Sequence, residues 1–144
     1  MKNSIGWLGI VGIFSLLAPA EAQTSSSPKP STQFDGTYAF VSSTKLTEMF
    51  TVSSTGRTRP CPDWPAGPLT IERGQARFSS ASSSAVRADF EETVGSQGEL
   101  AMKSINPASD EISERLLNGR IDGTGTVRAR FTGKQCSYDY VWRK

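Results

Sequence analysis

The sequence predicts an all-β domain in which about eight antiparallel strands form a meander that closes into a small barrel or folds into a two-layer sandwich. Short segments in which aromatic and β-branched residues alternate with polar ones recur along the chain. Glycine-containing turns separate most of these segments, and no convincing crossover helix lies between them. Because an open meander exposes two strand edges, we expect the first strand to pair with the last and close the sheet.

Residues 1–22 predict a secretory signal peptide with a helical apolar region. Lys2 gives a positive start, an apolar stretch runs from Ile5 to Leu17, and Ala20-Glu21-Ala22 has the small residues that a signal peptidase recognises. The apolar stretch is about a dozen residues long, which is shorter than the roughly 20 needed to span a bilayer. We therefore expect an exported protein, periplasmic or secreted, with no transmembrane segment in the mature chain.

Residues 23–33 contain no large apolar side chain, so burial cannot compensate for the entropy of ordering them. We interpret this segment as a disordered leader. Residues 34–144 then have the size of one domain with one core.

The first strand covers Thr37–Val41, where Tyr38 and Phe40 share a face. The even spacing of Leu46, Phe50 and Val52 predicts a second strand. From Thr55 to Pro68 the chain is too rich in proline and glycine for a helix or a strand interior, so we expect a loop there.

Trp64 lies within this predicted loop and has two interpretations. It is either a plug that covers one end of the core or an exposed aromatic residue used in binding. The plug is favoured, because a large ring near a disulfide usually packs against it.

Two hairpins follow. Pro68–Glu72 and Gln75–Phe78 flank the turn Arg73-Gly74. After a serine-rich connector at 79–84, the segments 88–94 and 100–102 flank a turn at 95–98.

The C-terminal part continues the meander. Residues 110–118 fit either a helix capped by Ser109 or a strand, and we prefer a strand from about Ser113 to Ile121, because the next hairpin needs a first arm. Turns at 123–125 and 133–134 bracket a strand at 127–131. The last strand has the clearest alternation, with four residues predicted to face the core: Cys136, Tyr138, Tyr140 and Trp142.

The two cysteines, Cys61 and Cys136, have no metal-type spacing, and in an exported chain they predict one disulfide. Their separation predicts a large stabilisation, up to about 4 to 5 kcal/mol in the chain-entropy description.

No catalytic, cofactor or metal site is predicted. The chain has no histidine, which excludes Ser-His-Asp and Cys-His catalysis and histidine metal ligands. Neighbouring strand residues point to opposite faces, so Glu91 and Glu92 cannot share a cleft, and the acidic group Asp110, Glu111 and Glu114 is interpreted as solvated surface. The glycines at 119, 123 and 125 lack the lysine and the strand-to-helix context of a phosphate loop. The formal net charge of +2 contains no basic run, so a nucleic-acid partner is not expected.

Five segments together carry a resemblance: Phe34–Ser43, Gly67–Arg77, Thr93–Met102, Gly119–Arg130 and Cys136–Trp142. The chain resembles small exported proteins of soil and plant-associated alphaproteobacteria that have no assigned activity. The resemblance implies an envelope or extracellular location and supports a strand at 113–121. It implies no functional residues.

These observations predict an exported, disulfide-stabilised β domain that binds rather than catalyses. It either binds an envelope or extracellular protein through the segment 57–68 and nearby turns, with Arg57, Arg59 and Trp64 as the candidate surface, or carries a small molecule or lipid inside. An enclosed apolar cavity of at least ~300 Å³ lined by Tyr138, Tyr140 or Phe40 would favour the carrier, and a filled interior would favour surface binding.

Overall fold

A computed structural model describes residues 30–83, 86–105, 115–133 and 135–144. These residues contain ten strands and a short 3₁₀ turn at Thr32–Phe34. The strands are β1 (Gly36–Lys45), β2 (Met49–Val52), β3 (Arg57–Pro60), β4 (Leu69–Glu72), β5 (Gln75–Ala81), β6 (Arg87–Thr93), β7 (Glu99–Lys103), β8 (Leu116–Ile121), β9 (Thr126–Thr132) and β10 (Ser137–Arg143). The predicted all-β class is therefore confirmed, while the predicted signal peptide and most of the leader lie outside the described residues.

Eight of the strands form one antiparallel sheet in the order β6-β5-β4-β1-β10-β9-β8-β7. Strands β2 and β3 form a separate two-stranded sheet. The predicted pairing of the first and last strands is present, since Phe40 lies opposite Trp142 and Ser43 lies opposite Tyr140. The large sheet curls into a nearly closed barrel, which decides between the barrel and the sandwich.

The closure is incomplete between β6 and β7, the two ends of the strand order. Here β6 and the end of β7 are joined by an isolated β-bridge between Phe90 and Ser104 and not by a regular ladder. The predicted turn at 95–98 is present, with Gly95 N–H donating to the Glu99 carbonyl at 2.9 Å, but the regular hairpin predicted for these strands is not. Glu92 is two residues after the inward-facing Phe90, so alternation would place it inside the barrel, yet its side chain is exposed. Burying a carboxylate without a counter-charge in an apolar interior costs too much free energy.

The core lies inside the barrel and is dominated by aromatic rings. The alternation predicted for the last strand is confirmed, since its aromatic residues face inward and are no more than 1% exposed: Tyr138, Tyr140 and Trp142. Phe131 of β9 stacks on Tyr140 with ring centroids 5.5 Å apart. Tyr38 on β1 is buried as well, whereas Phe40 is half-buried and contacts the Tyr140 and Trp142 rings edge-on.

Two loop predictions were wrong. Arg57–Pro60 lies in the predicted proline loop but forms β3, paired with β2. Pro60 is tolerated because it stands opposite Met49 at a position whose backbone N–H is not needed for the ladder. Likewise Ser79–Ala81 of the predicted serine-rich connector continues β5, where it pairs with Arg87–Asp89.

The strand preferred for 113–121 is present from Leu116 onward, paired with β7 and β9. Residues 106–114, which include the acidic group at 110–114, lie outside the described residues. Among the residues that are described, no helix combines the length and apolar character required to cross a bilayer.

Candidate binding surface

The barrel interior offers little room for a ligand, because aromatic side chains fill it. Trp64 and Phe131 lie with their ring centroids 5.1 Å apart, and Phe78 stacks on Phe90 at 4.6 Å. A cavity of about 200 Å³ borders Tyr138, but it opens to solvent and is smaller than the ~300 Å³ of a small-molecule site. This cavity therefore does not reach the size expected from the sequence for a carrier.

The inward side chains of β10 hold the segment 61–68 in place through polar atoms. Tyr138 donates its hydroxyl to the Pro62 carbonyl at 2.6 Å, and Trp142 donates Nε1–H to the Gly67 carbonyl at 2.9 Å. Between them, Tyr140 donates its hydroxyl to the Trp64 carbonyl. The three inward-facing aromatic residues of β10 thus donate hydrogen bonds to backbone carbonyls that are not paired in a strand ladder.

On its other side, the segment 61–68 lies along the end of β5. Gly67 N–H donates to the Ser79 carbonyl at 2.7 Å, and Ser83 N–H donates to the Asp63 carbonyl at 2.9 Å. The segment is therefore an irregular part of the barrel wall rather than a free loop. This corrects the expectation that all of 57–68 presents a binding surface.

Trp64 is a plug and does not belong to the exposed surface. Its side chain is buried, its Nε1–H donates to Ser80 Oγ at 3.1 Å, and the guanidinium of Arg115 lies 5.0 Å from its ring centroid. Arg115 is itself 3% exposed, and desolvation lowers its pKa. Trp64 is thus removed from the candidate surface, in agreement with the interpretation favoured from the sequence.

The predicted disulfide is present. Cys61 and Cys136 are bonded, with their Cα atoms 5.9 Å apart. Cys61 directly follows β3, and Cys136 directly precedes β10. Lys45 reinforces this region, because its Nζ donates to the Cys61 carbonyl at 2.8 Å and lies 3.1 Å from the Asp63 carboxylate.

The β2–β3 hairpin, residues 49–60, projects from the disulfide end of the barrel, and we call it the arm. Its two strands pair mainly with each other, and Cys61 N–H donates to the Glu48 carbonyl at 2.7 Å at its base. Large apolar side chains are exposed on the arm and just before it, with Met49 at 50% and Leu46 at 44%. An isolated two-stranded sheet is marginally stable in water, so the arm depends on its attachment to the barrel.

Arg57 and Arg59 stand on one face of the arm. Arg59 lies opposite Phe50, and Arg57 lies opposite Val52. Both arginines are exposed, and among the described residues their side chains form no ion pair, unlike Arg130, which binds Asp139 at 2.8 Å. The arm therefore joins two cations, without an ion partner in the described part of the chain, to exposed apolar surface. The sequence indicated this combination only through the two arginines.

The other polar candidates have structural explanations. Glu91 pairs with Arg77 on the outer surface at 2.9 Å, while Glu92 accepts a hydrogen bond from its neighbour's backbone. Asp122 accepts hydrogen bonds from Thr124 and Thr126, and these lower its pKa and stabilise the predicted β8–β9 turn. Within the described ranges, no three acidic or cysteine side chains are grouped closely enough to share a metal ion.

Comparison with known proteins adds no family to this description, because no family model, curated protein or solved structure matches the chain.

Proposed function

We propose that this chain is an exported, non-catalytic binding domain and that it recognises a protein partner in the envelope or outside the cell through the arm. The observation that carries the proposal is the contrast between the aromatic-filled barrel and the projecting arm. The arm exposes Met49 together with Arg57 and Arg59, neither of which forms an ion pair with a described residue. Exposed apolar residues beside arginines are a composition typical of protein interfaces.

Export is supported by two independent features. Residues 1–22 have the pattern of a signal peptide. The disulfide is of the kind that persists in oxidising compartments. The periplasm and the extracellular space both satisfy these conditions.

The non-catalytic part of the proposal is supported by composition. A chain without histidine lacks the usual general base near neutral pH. Glu91 pairs with Arg77 on the outer surface and Glu92 accepts a backbone hydrogen bond, and these roles need no reaction to explain them.

The test compares three forms of the mature protein in crosslinking to envelope and culture-medium proteins of the organism that encodes it. One is unmodified, one is Arg57→Glu/Arg59→Glu, and the matched control is Arg128→Glu/Arg143→Glu, which reverses two exposed arginines on the barrel wall. We expect the same crosslinked protein with the unmodified form and the control, and its loss with the arm variant. Equal crosslinking by all three forms would reject the arm as the binding surface.

A further inference from the structure

We propose that the arm binds an extended, acidic segment of its protein partner as a third antiparallel or parallel strand, added to the outer edge of β2. This proposal rests on the function proposed above and specifies its partner chemistry. Strand addition to a free sheet edge supplies backbone hydrogen bonds, while the side-chain pattern of the added segment supplies specificity.

The backbone directions in the arm follow from its register. Cys61 N–H donates to the Glu48 carbonyl, so Glu48 and Cys61 form a hydrogen-bonded pair. Because such pairs alternate along an antiparallel ladder, the backbone groups of Phe50 and Val52 also point toward β3. Those of Met49 and Thr51 then point away from β3, toward the outer edge of β2.

The two edges of the arm differ in what they offer to another strand. The outer edge of β3 consists of Thr58 and Pro60, and proline has no N–H to donate. The outer edge of β2 carries Met49 and Thr51, each with one N–H and one C=O. All four residues are exposed, so β2 presents the more complete set of hydrogen-bonding groups. Proline is one of the residues that protect natural sheet edges from pairing.

The acidic character of the added segment follows from the arm's charge. Arg57 and Arg59 point to the same face as Phe50 and Val52, which lie on the strand next to the new one. Acidic side chains at alternate positions of the added strand would project on this face. The added strand would lie two strand spacings, about 10 Å, from β3, a distance that a long arginine and a glutamate side chain can span together. Apolar residues between them would lie on the opposite face, beside the exposed Met49 side chain.

A third strand would also stabilise the arm, because three-stranded sheets are more stable in water than two-stranded ones. The disulfide fixes one end of the arm to the barrel before any partner arrives. The entropy that is lost on binding is therefore reduced, since one of the two partners is already ordered.

The experiment uses the mature, oxidised protein and three capped synthetic peptides as probes. The first has the sequence Thr-Glu-Val-Glu-Val-Glu-Thr, the second replaces each Glu by Lys, and the third is the acidic peptide with an N-methyl group on every amide, which blocks pairing in either strand direction. Binding is followed by calorimetry and by ¹⁵N NMR. We expect the acidic peptide alone to bind, with the largest amide shifts at Met49 and Thr51.

The matched variants are Thr51→Pro and Thr58→Pro, because these residues lie directly opposite each other and their N–H groups point to opposite edges. We expect Thr51→Pro to weaken the acidic peptide at least tenfold and Thr58→Pro to change it less than twofold. The N-methylated peptide tests the same hydrogen bonds without altering the protein, so the result does not depend on how well either variant folds. Arg57→Glu/Arg59→Glu should invert the preference between the acidic and basic peptides.

The outcomes separate this inference from the proposed function. Greater sensitivity to Thr58→Pro, or full binding of the N-methylated peptide, would overturn addition to β2. Absence of acidic-peptide binding, while partner crosslinking still depends on Arg57 and Arg59, would overturn strand addition and leave the proposed function standing. Dimerisation that Thr51→Pro abolishes would replace the peptide with a second copy, and arginine-dependent binding to vesicles of anionic lipid would replace it with a membrane. Either result would overturn the inference.

Discussion

Replacing Tyr140 by Phe should reveal how much the donors of β10 contribute to stability. The Tyr140 side chain is fully buried, and its hydroxyl donates to the Trp64 carbonyl. The substitution keeps the ring, so its contacts with Phe131 and Trp142 remain. The change is therefore confined to the hydroxyl, which donates to the Trp64 carbonyl and also interacts with the Ser80 side chain.

A buried polar group left unsatisfied costs about 1–3 kcal/mol. We expect Tyr140→Phe to lower the free energy of unfolding by about 2 kcal/mol, which is close to 8 °C in melting temperature at roughly 4 °C per kcal/mol for a domain of this size. The assay is equilibrium urea denaturation of the oxidised protein, followed by tryptophan fluorescence. An unchanged slope of the unfolding free energy against urea concentration shows that the variant exposes the same surface area on unfolding.

The matched control is Tyr38→Phe at the opposite end of the barrel. The Tyr38 hydroxyl donates to the carbonyl of Phe34 at 2.6 Å, and Phe34 is half-buried. Water can replace this donor more readily, so the control should lose less than about 1 kcal/mol. If Tyr140→Phe were as stable as the unmodified protein, or if the control lost more, the role given to the β10 donors would be refuted.

Three further predictions follow from the same structure. The double variant Cys61→Ala/Cys136→Ala should lose up to about 4 kcal/mol of unfolding free energy in non-reducing denaturation, because the disulfide joins residues 75 positions apart in the sequence. A variant as stable as the oxidised protein would contradict the disulfide. Gly119→Ala should lower the unfolding free energy by about 1–3 kcal/mol in thermal unfolding, because the new Cβ would lie 2.3 Å from the Cβ of Ala129. The control Gly123→Ala, whose new Cβ would have no atom within 4 Å, should change it by less than about 0.5 kcal/mol, and equal effects would refute the close strand contact. Burial raises the pKa of all three tyrosines above the ordinary value of 10.0, so the native state holds these protons more tightly than the unfolded chain. The stability that they contribute is complete below pH 10 and is lost as the pH rises above it, and absorbance at 295 nm should show the tyrosines ionising together with unfolding; ionisation well before unfolding would contradict their burial.

Local patterns predicted most of the barrel. The alternation through Tyr138, Tyr140 and Trp142 identified both the last strand and its inward face. The turn at Arg73-Gly74 was identified because it needs a left-handed backbone, and Arg73 and Gly74 both have positive φ. Such signals depend on a few neighbouring residues, which is why sequence alone is enough to read them.

The features that were missed depend on partners distant in sequence. A proline-rich segment can serve as barrel wall only because side chains of β10 supply donors to its carbonyls, and no local pattern indicates this. Pro60 can end a strand because its position in the ladder needs no N–H, which is decided by the register with β2. The burial of Arg115 and its position over the Trp64 ring could likewise not be read from spacing, because the ring belongs to a distant segment.

The candidate surface was only partly predictable for the same reason. Exposure of Arg57 and Arg59 follows from their charge, whereas their presentation on a projecting hairpin depends on where the chain rejoins the barrel. Tryptophan is a residue type common at interfaces, but Trp64 lies in the core. The hydrogen bond from its Nε1–H to Ser80 shows that the ring belongs to the core. The sequence assigned Ser80 to a loop, so this partner could not be anticipated.

The position of the disulfide has a mechanical consequence. Cys61 comes directly after the arm, and its bonded partner Cys136 leads into β10, a strand held on both sides by β1 and β9. Tension that a tethered partner exerts through β3 would pass across the sulfur–sulfur bond into this doubly supported strand. Part of the load would thus bypass the irregular stretch that follows Cys61, so pulling on the arm would strain the barrel wall less than it would without the bond.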